Sequence, residues 1–142
     1  MDKLTAERRS ANMRAIRSKD MKPEKAVRSL AHAMGYRFRL HRKDLPGKPD
    51  LVFPARRAVI FVHGCFWHQH PAPECKDSRS PKSNVDYWRP KLERNQARDA
   101  KNKADLEAEG WRVLVLWECQ TKDEAATRQL IKAFLDYPRN VL

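Results

Sequence analysis

Ala58-Val59-Ile60-Phe61-Val62-His63-Gly64-Cys65-Phe66-Trp67-His68-Gln69-His70 is the stretch on which the reading of this chain turns. Its five leading apolar residues have the length and character of a buried strand. The eight that follow hold three imidazoles, one thiol and two large aromatics. Surface loops seldom carry such residue types without a reason, so the end of this strand is where chemistry is expected.

Working toward the N-terminus, Leu51-Val52-Phe53 reads as a second short strand, joined to the first through Ala55-Arg56-Arg57. Asp50 opens it, directly after the turn Leu45-Pro46-Gly47-Lys48-Pro49. A short hairpin sets Asp50 beside the end of the next strand, near Val62 and His63, which is the proximity a Mg²⁺ site requires. An Asp after Pro at a strand entry is also an ordinary turn residue that accepts a backbone hydrogen bond. Working toward the C-terminus, four residues separate Cys65 from His70 and four more separate His70 from Cys75. Cys119 follows the apolar run Val113-Leu114-Val115-Leu116-Trp117, where a neighbouring strand brings it close. Three thiols and an imidazole make the donor set of a tetrahedral zinc site. The plainer reading makes Cys65 and Cys119 inert core thiols and His70 a solvated side chain. Cys75 argues against it, because in the polar loop Pro71 to Asp77 a lone thiol would be exposed and oxidisable.

The remaining segments fill in the fold. Thr5 to Lys19 reads as a basic helix with a thin apolar stripe at Met13 and Ile16, touching DNA phosphates or standing as a solvated arm. Pro23 suits the first turn of a second helix with Ala26, Val27, Leu30, Ala31 and Met34 on one face and Gly35 at its end. Glu24 lies in that first turn, where a carboxylate ordinarily complements the helix dipole. Tyr36 to Arg42 alternates apolar and basic residues as a half-buried strand does. Ser80 to Ser83 is a polar linker, Val85 to Arg89 a separate turn, and Pro90 restarts a long helix from Lys91 to Glu109 closed by Gly110. Asn95, Arg98 and Asp99 occupy positions of that helix where core residues would stand, so either the helix is peripheral and solvated or, the reading preferred here, those polar groups support a site. Trp111 to Trp117 is the best core strand, and Leu130, Ile131, Phe134 and Leu135 give the last helix its apolar face. The order is helix, helix, strand, strand, strand, loop, helix, strand, helix. It implies an α/β fold, a central mixed β-sheet flanked by helices, in one domain spanning residues 1–142.

Composition bounds the partners. Thirty Lys+Arg against eighteen Asp+Glu give a formal charge of +12 over 142 residues, which points to a polyanion, most simply nucleic acid. Charge alone suits RNA as well as DNA. With 34% charged residues and a mean hydropathy of −0.83, a membrane span is not expected. The N-terminus lacks the apolar centre of a signal peptide, and three cysteines suit metal ligation in a reducing compartment better than disulfides. The expected location is cytoplasmic.

Asn12-Met13-Arg14-Ala15-Ile16, Pro46-Gly47-Lys48-Pro49-Asp50, His63-Gly64-Cys65-Phe66-Trp67-His68 and Gly110-Trp111-Arg112-Val113-Leu114 to Trp117-Glu118-Cys119 resemble, in this order, the very short patch repair (Vsr) mismatch endonucleases. The resemblance implies a restriction-endonuclease-like core that nicks one strand beside a T·G mismatch left by deamination of 5-methylcytosine. It implies Mg²⁺ on Asp50 and the backbone carbonyl of Val62, His68 as catalytic histidine with His63 beside it, and Glu24 assisting. The family's zinc ligands match Cys65, His70, Cys75 and Cys119, and the aromatics that wedge into the duplex match Phe66, Trp67 and Trp88. A monomer on nucleoid DNA is implied, with mismatch-repair proteins and a DNA polymerase acting downstream.

These residue types suit that chemistry. Hydrolysis of a phosphodiester requires an activated water and a cation on the phosphate, and an imidazole is the side chain ordinarily suited to take a proton at neutral pH. Zinc with four protein ligands is structural. A reading from another class, a non-catalytic zinc-stabilised module that binds distorted duplex, differs only through Asp50, His63 and His68.

Overall fold

A computed structural model describes residues 23–40, 42–71, 75 and 85–136. The N-terminal basic helix or arm and the linker Ser80 to Ser83 lie outside the described residues.

Helix α1 covers residues 23–33. It is followed by β1 (Leu51–Phe53), a 3-10 turn (Pro54–Arg56), β2 (Ala58–His63), the long α2 (Val85–Ala108), β3 (Arg112–Trp117), the short α3 (Glu118–Thr121) and α4 (Glu124–Leu135). The strands form one sheet in the order β1-β2-β3, with β1 antiparallel and β3 parallel to β2. This is the mixed sheet expected. The parallel connection runs from β2 to β3 through α2, and a crossover helix is what a parallel pair needs.

Strand parity sorts the side chains into two layers. Leu51 and Phe53 of β1 and Ala58 and Ile60 of β2 join Val27, Leu30 and Ala31 of α1 and Ile131 and Leu135 of α4 in one core. Val52, Val59 and Phe61 point the other way, into a second core with Leu45, Leu106 and Trp111. By the same alternation Asp50 and His63 project from the α2 side, so helix α2 roofs the face on which the polar residues stand. Gly110, at φ +88, closes α2 as expected, with its N–H bonded to Glu107 O at 3.0 Å and the Trp111 N–H to Leu106 O at 3.0 Å.

Three expectations are corrected. Tyr36 to Arg42 forms no strand: a single bridge, Arg39 to Val52, joins it to the sheet, and its backbone meets β1 only through the two hydrogen bonds of that pair, 2.7 and 2.9 Å. Its alternation survives, with Tyr36, Phe38 and Leu40 packed on the first core and Arg37 and Arg39 exposed. Pro90 does not restart the helix but lies inside α2, which begins at Val85. Asp86, Arg89 and Pro90 are exposed, so the carbonyl left without a partner near the helix start faces water. Leu130 is exposed, and the buried face of α4 is Thr127, Ile131 and Leu135, spaced i, i+4, i+8. The loop after β2 is compact: His68 N–H bonds Gly64 O at 3.1 Å and His70 N–H bonds Cys65 O at 2.9 Å, folding it into consecutive turns.

Candidate active site

The site is built where β2 ends. One step beyond the pair Leu51↔Ile60, Asp50 reaches across the hairpin, and its Oδ2 accepts the Val62 N–H at 2.6 Å. The N–H and C=O of a strand residue point to the same side, so the Val62 carbonyl faces the edge where Asp50 stands. The juxtaposition of Asp50 and Val62 expected from the sequence is present. Burial pushes the Asp50 carboxyl up to about 6, opposed by the Val62 hydrogen bond and reinforced by the nearby charge of Glu24. A carboxylate so desolvated, with a carbonyl beside it, is an oxygen donor set suited to a hard divalent cation. Glu24 itself, in the first turn of α1, forms an ion pair with Arg28.

His63 and His68 stack face to face, ring centroids 3.8 Å apart and planes 8° from parallel. His63 is buried, and burial, followed by the neighbouring His68 charge, lowers its pKa to about 4. It is therefore a neutral ring at ordinary pH, and its Nδ1 is buried with no hydrogen-bond partner among the described residues. His68 is turned the other way. Its Nδ1 lies 2.6 Å from Asp99 Oδ2 on α2. An ionised carboxylate only accepts, so Nδ1 carries the hydrogen and Nε2 presents a lone pair.

Asp99 is a member of the site that sequence reasoning located but gave no role. Its signal was a polar residue on the inward face of a helix: Leu92, Asn95, Asp99, Asn102 and Leu106 follow helical spacing, and the leucines at either end are buried. Asn95 donates to the Trp67 carbonyl at 3.0 Å and fixes the loop. Arg98, grouped with them on sequence, is exposed. Asp50, Val62, His63, His68 and Asp99 line one cleft of about 340 Å³ together with Gly47, Lys48, Asn102 and Lys103, a size at the small end of ligand pockets.

On the other side of the loop, Cys65, His70, Cys75 and Cys119 gather with their ligand atoms within 4.8 Å of one another. His70 Nδ1 is 3.8 Å from Cys65 Sγ and 3.4 Å from Cys119 Sγ. Zn–S bonds of about 2.3 Å in a tetrahedron put ligand atoms roughly 3.7 Å apart, so this cluster can hold a metal such as zinc. The register His63↔Trp117 explains the convergence: parallel β2 and β3 end level, and the residues just beyond them meet. His70 stacks on Trp117 with centroids 4.4 Å apart, and the Cys119 N–H points to Cys65 Sγ at 3.4 Å. Burial and the neighbouring thiols push the Cys65 thiol far up, a cost that a bound cation removes.

Phe66, Trp67 and Trp88 also come together, in edge-on contacts with centroids 5.2 to 5.7 Å apart. All three are half-buried. Tyr87, which sequence reasoning missed, packs edge-on against Trp88 at 5.0 Å and is 46% exposed.

Residues 1–75 match the family model described as DNA mismatch endonuclease Vsr. The chain is 57% identical over 135 residues to the type II nicking enzyme V.XorIIP of Xanthomonas oryzae pv. oryzae, covering 95% of this chain and 97% of the relative. It is 42% identical over 135 residues to the DNA mismatch endonuclease Vsr of Escherichia coli, covering 91% of this chain and 83% of that one. Among solved structures, the catalytic domain of the homing endonuclease I-Bth0305I superposes with a TM-score of 0.54 at 20% identity, over 79% of this chain and 91% of that domain, a likeness of fold. The restriction-endonuclease-like architecture is thus borne out, and an enzyme is favoured over the non-catalytic module. The chain belongs to the Vsr family of DNA mismatch endonucleases and is a DNA endonuclease.

Proposed function

We propose that this enzyme nicks one strand of duplex DNA beside a T·G mismatch, with Asp50, His63, His68 and Asp99 as its reaction centre. The observation that carries the reading is the meeting of Asp50 at the start of β1 with the His68–Asp99 pair in a single cleft. Mg²⁺ held by Asp50 and the Val62 carbonyl supplies charge neutralisation at the phosphate.

The protein's own groups handle the proton. Asp99 holds the His68 ring so that Nε2 receives a proton from the attacking water, while the carboxylate stabilises the imidazolium formed. His63 lies flat against that ring and stays neutral, so it adds no like charge when His68 gains its proton. Glu24 acts at longer range, through its charge on Asp50.

Zinc on Cys65, His70, Cys75 and Cys119 supplies a fixed cross-link. It anchors the loop whose other residues are His68 and the rings Phe66 and Trp67. Those rings and Trp88 enter the base stack next to the mismatch, where a poorly stacked T·G step makes unstacking cheaper. The enzyme acts as a monomer on cytoplasmic, nucleoid DNA, and mismatch-repair proteins and a DNA polymerase act downstream of the nick. No helix among the described residues is long and apolar enough to cross a membrane.

The test is a nicking assay on oligonucleotide duplexes carrying T·G or T·A at one position, with and without Mg²⁺. One-strand cleavage of the T·G duplex alone, lost in chelator and lost in Asp50→Ala, is the expected result. Equal cutting of both duplexes would remove the mismatch assignment.

A further inference from the structure

The cleft has a second end that the proton chemistry does not use. Away from His68 its walls are the turn at Gly47 and Lys48 and the α2 positions Asn102 and Lys103. On α2, Asn102 and Lys103 stand three and four residues after Asp99, one turn along the same face. The two walls are jammed together: a Cβ on Gly47 would lie 2.8 Å from Asn102 Nδ2 and 2.9 Å from its Cβ. Only glycine fits there, so the turn carrying Lys48 is fixed against the helix carrying Lys103.

Both lysines are exposed and, among the described residues, neither has an acidic partner. Other lysines do: Lys101 on α2 pairs with Asp105 at 3.0 Å, and Lys132 on α4, across the sheet, with Asp136 at 2.9 Å. Lys48 also holds a left-handed backbone, φ 50, in a turn closed by its N–H on Leu45 O at 3.1 Å. Two ammonium groups without an acidic partner among the described residues thus border the cleft from opposite walls.

We propose that Lys48 and Lys103 form a two-sided phosphate clamp that holds the non-bridging oxygens of the phosphodiester in the cleft. The inference rests on that cleft being the nicking centre. An ammonium group attracts the phosphate more strongly as negative charge builds on it, so the clamp acts on rate as well as on binding.

The test is single-turnover nicking at saturating enzyme, with binding measured across a salt series, for Lys48→Met, Lys103→Met, their arginine counterparts, Lys101→Met and Asp50→Ala. Each clamp methionine variant is expected to lower the nicking rate roughly tenfold to a hundredfold, as for loss of a charged hydrogen bond. Each should make the slope of log affinity against log salt shallower by about 0.9. Arginine should restore most of both losses, and Lys101→Met should keep the wild-type rate. Melting temperatures should be unchanged, because neither side chain packs. Wild-type rates in both methionine variants alongside an inactive Asp50→Ala would overturn the clamp while leaving the cleft as the nicking centre. Wild-type nicking by Asp50→Ala would overturn the cleft itself, and the clamp with it.

Discussion

Asp99→Asn is the perturbation that most directly probes the proton path. The change keeps the size of the side chain and removes its charge. In the wild type the 2.6 Å contact joins a carboxylate to His68 Nδ1–H, and both side chains remain about a quarter exposed. The asparagine can still accept through its amide oxygen, in which case the His68 tautomer survives and only the charge is lost. A hydrogen bond to a charged group is worth about 1.5–3 kcal/mol and a neutral one about 0.5–1.5 kcal/mol, so that loss is about 1–1.5 kcal/mol, or roughly tenfold in rate. If the amide instead presents its NH₂, the hydrogen moves to Nε2, the base is disabled, and the deficit approaches the 10²–10⁴-fold expected for His68→Ala.

The two cases separate by comparison. Asp99→Ala, which cannot donate, should fall between Asp99→Asn in its accepting orientation and His68→Ala. The assay is single-turnover nicking of a T·G duplex at saturating enzyme, with duplex affinity measured in parallel and expected to hold. Because Asp99 is argued to act only through His68, the double variant His68→Ala, Asp99→Asn should be no slower than His68→Ala alone. Multiplying losses in the double variant, or wild-type rates for Asp99→Asn, would refute the positioning argument.

Purified without added metal, the protein should carry about one zinc, and Cys119→Ser should cost on the order of 4 kcal/mol, or roughly 10 °C in melting temperature for a chain of this size; zinc-free folded protein in elemental analysis would contradict the cluster. In Mg²⁺-free solution Asp50, raised to about 6, and His63, lowered to about 4, act on stability with opposite sign. Asp50 contributes stability at low pH that is lost as pH rises through about 6, whereas the His63 contribution is complete above its ordinary 6.5 and is lost as pH falls toward about 4. Asp50→Asn should therefore make the melting temperature fall more steeply than wild type between pH 6.5 and 4, and parallel profiles would count against the burial of Asp50. Trp67→Ala should weaken binding to T·G duplex by roughly 1–3 kcal/mol, the worth of stacking on a base, and leave matched duplex nearly unaffected; equal losses on the two duplexes would assign the ring to packing with Phe66 and Trp88.

What could be read before the structure was what depends on short range. The apolar run Ala58 to Val62, the hairpin that carries Asp50, the stop at Gly110 and the parity of Tyr36, Phe38 and Leu40 are set by local composition and period. The edge bridge at Arg39 and the continuity of α2 through Pro90 depend on what neighbours the segment, which no local pattern encodes. The site divides the same way. Its types and spacing in residues 63–70 were legible, and so was the Asp50 approach. The partner of His68 was visible only as a polar residue on an inward helix face, because it lies thirty-one positions along the chain from the imidazole it holds. Cys119 was recoverable because a parallel register brings strand ends level, so a cysteine just past one strand meets the loop just past the other.

The electrostatics of this molecule run in opposite directions at two scales. Over the whole chain the formal charge is +12, a field that draws in DNA at long range and is weakened by salt. Inside the cleft Lys48 and Lys103 stand at one end and the acids at the other, Asp50 and Asp99, with Glu24 close enough to raise Asp50. A phosphodiester brought to that wall would meet like charge. The desolvated carboxylate at Asp50 is therefore unfavourable for substrate by itself, and the divalent cation proposed for it would turn that charge to use. On the proposed reading, a cation on Asp50 would favour DNA binding, because it would remove the like charge that the phosphate meets. A cleft lined by lysine in place of Asp50 would bind DNA in the absence of metal and hold nothing with which to cut it.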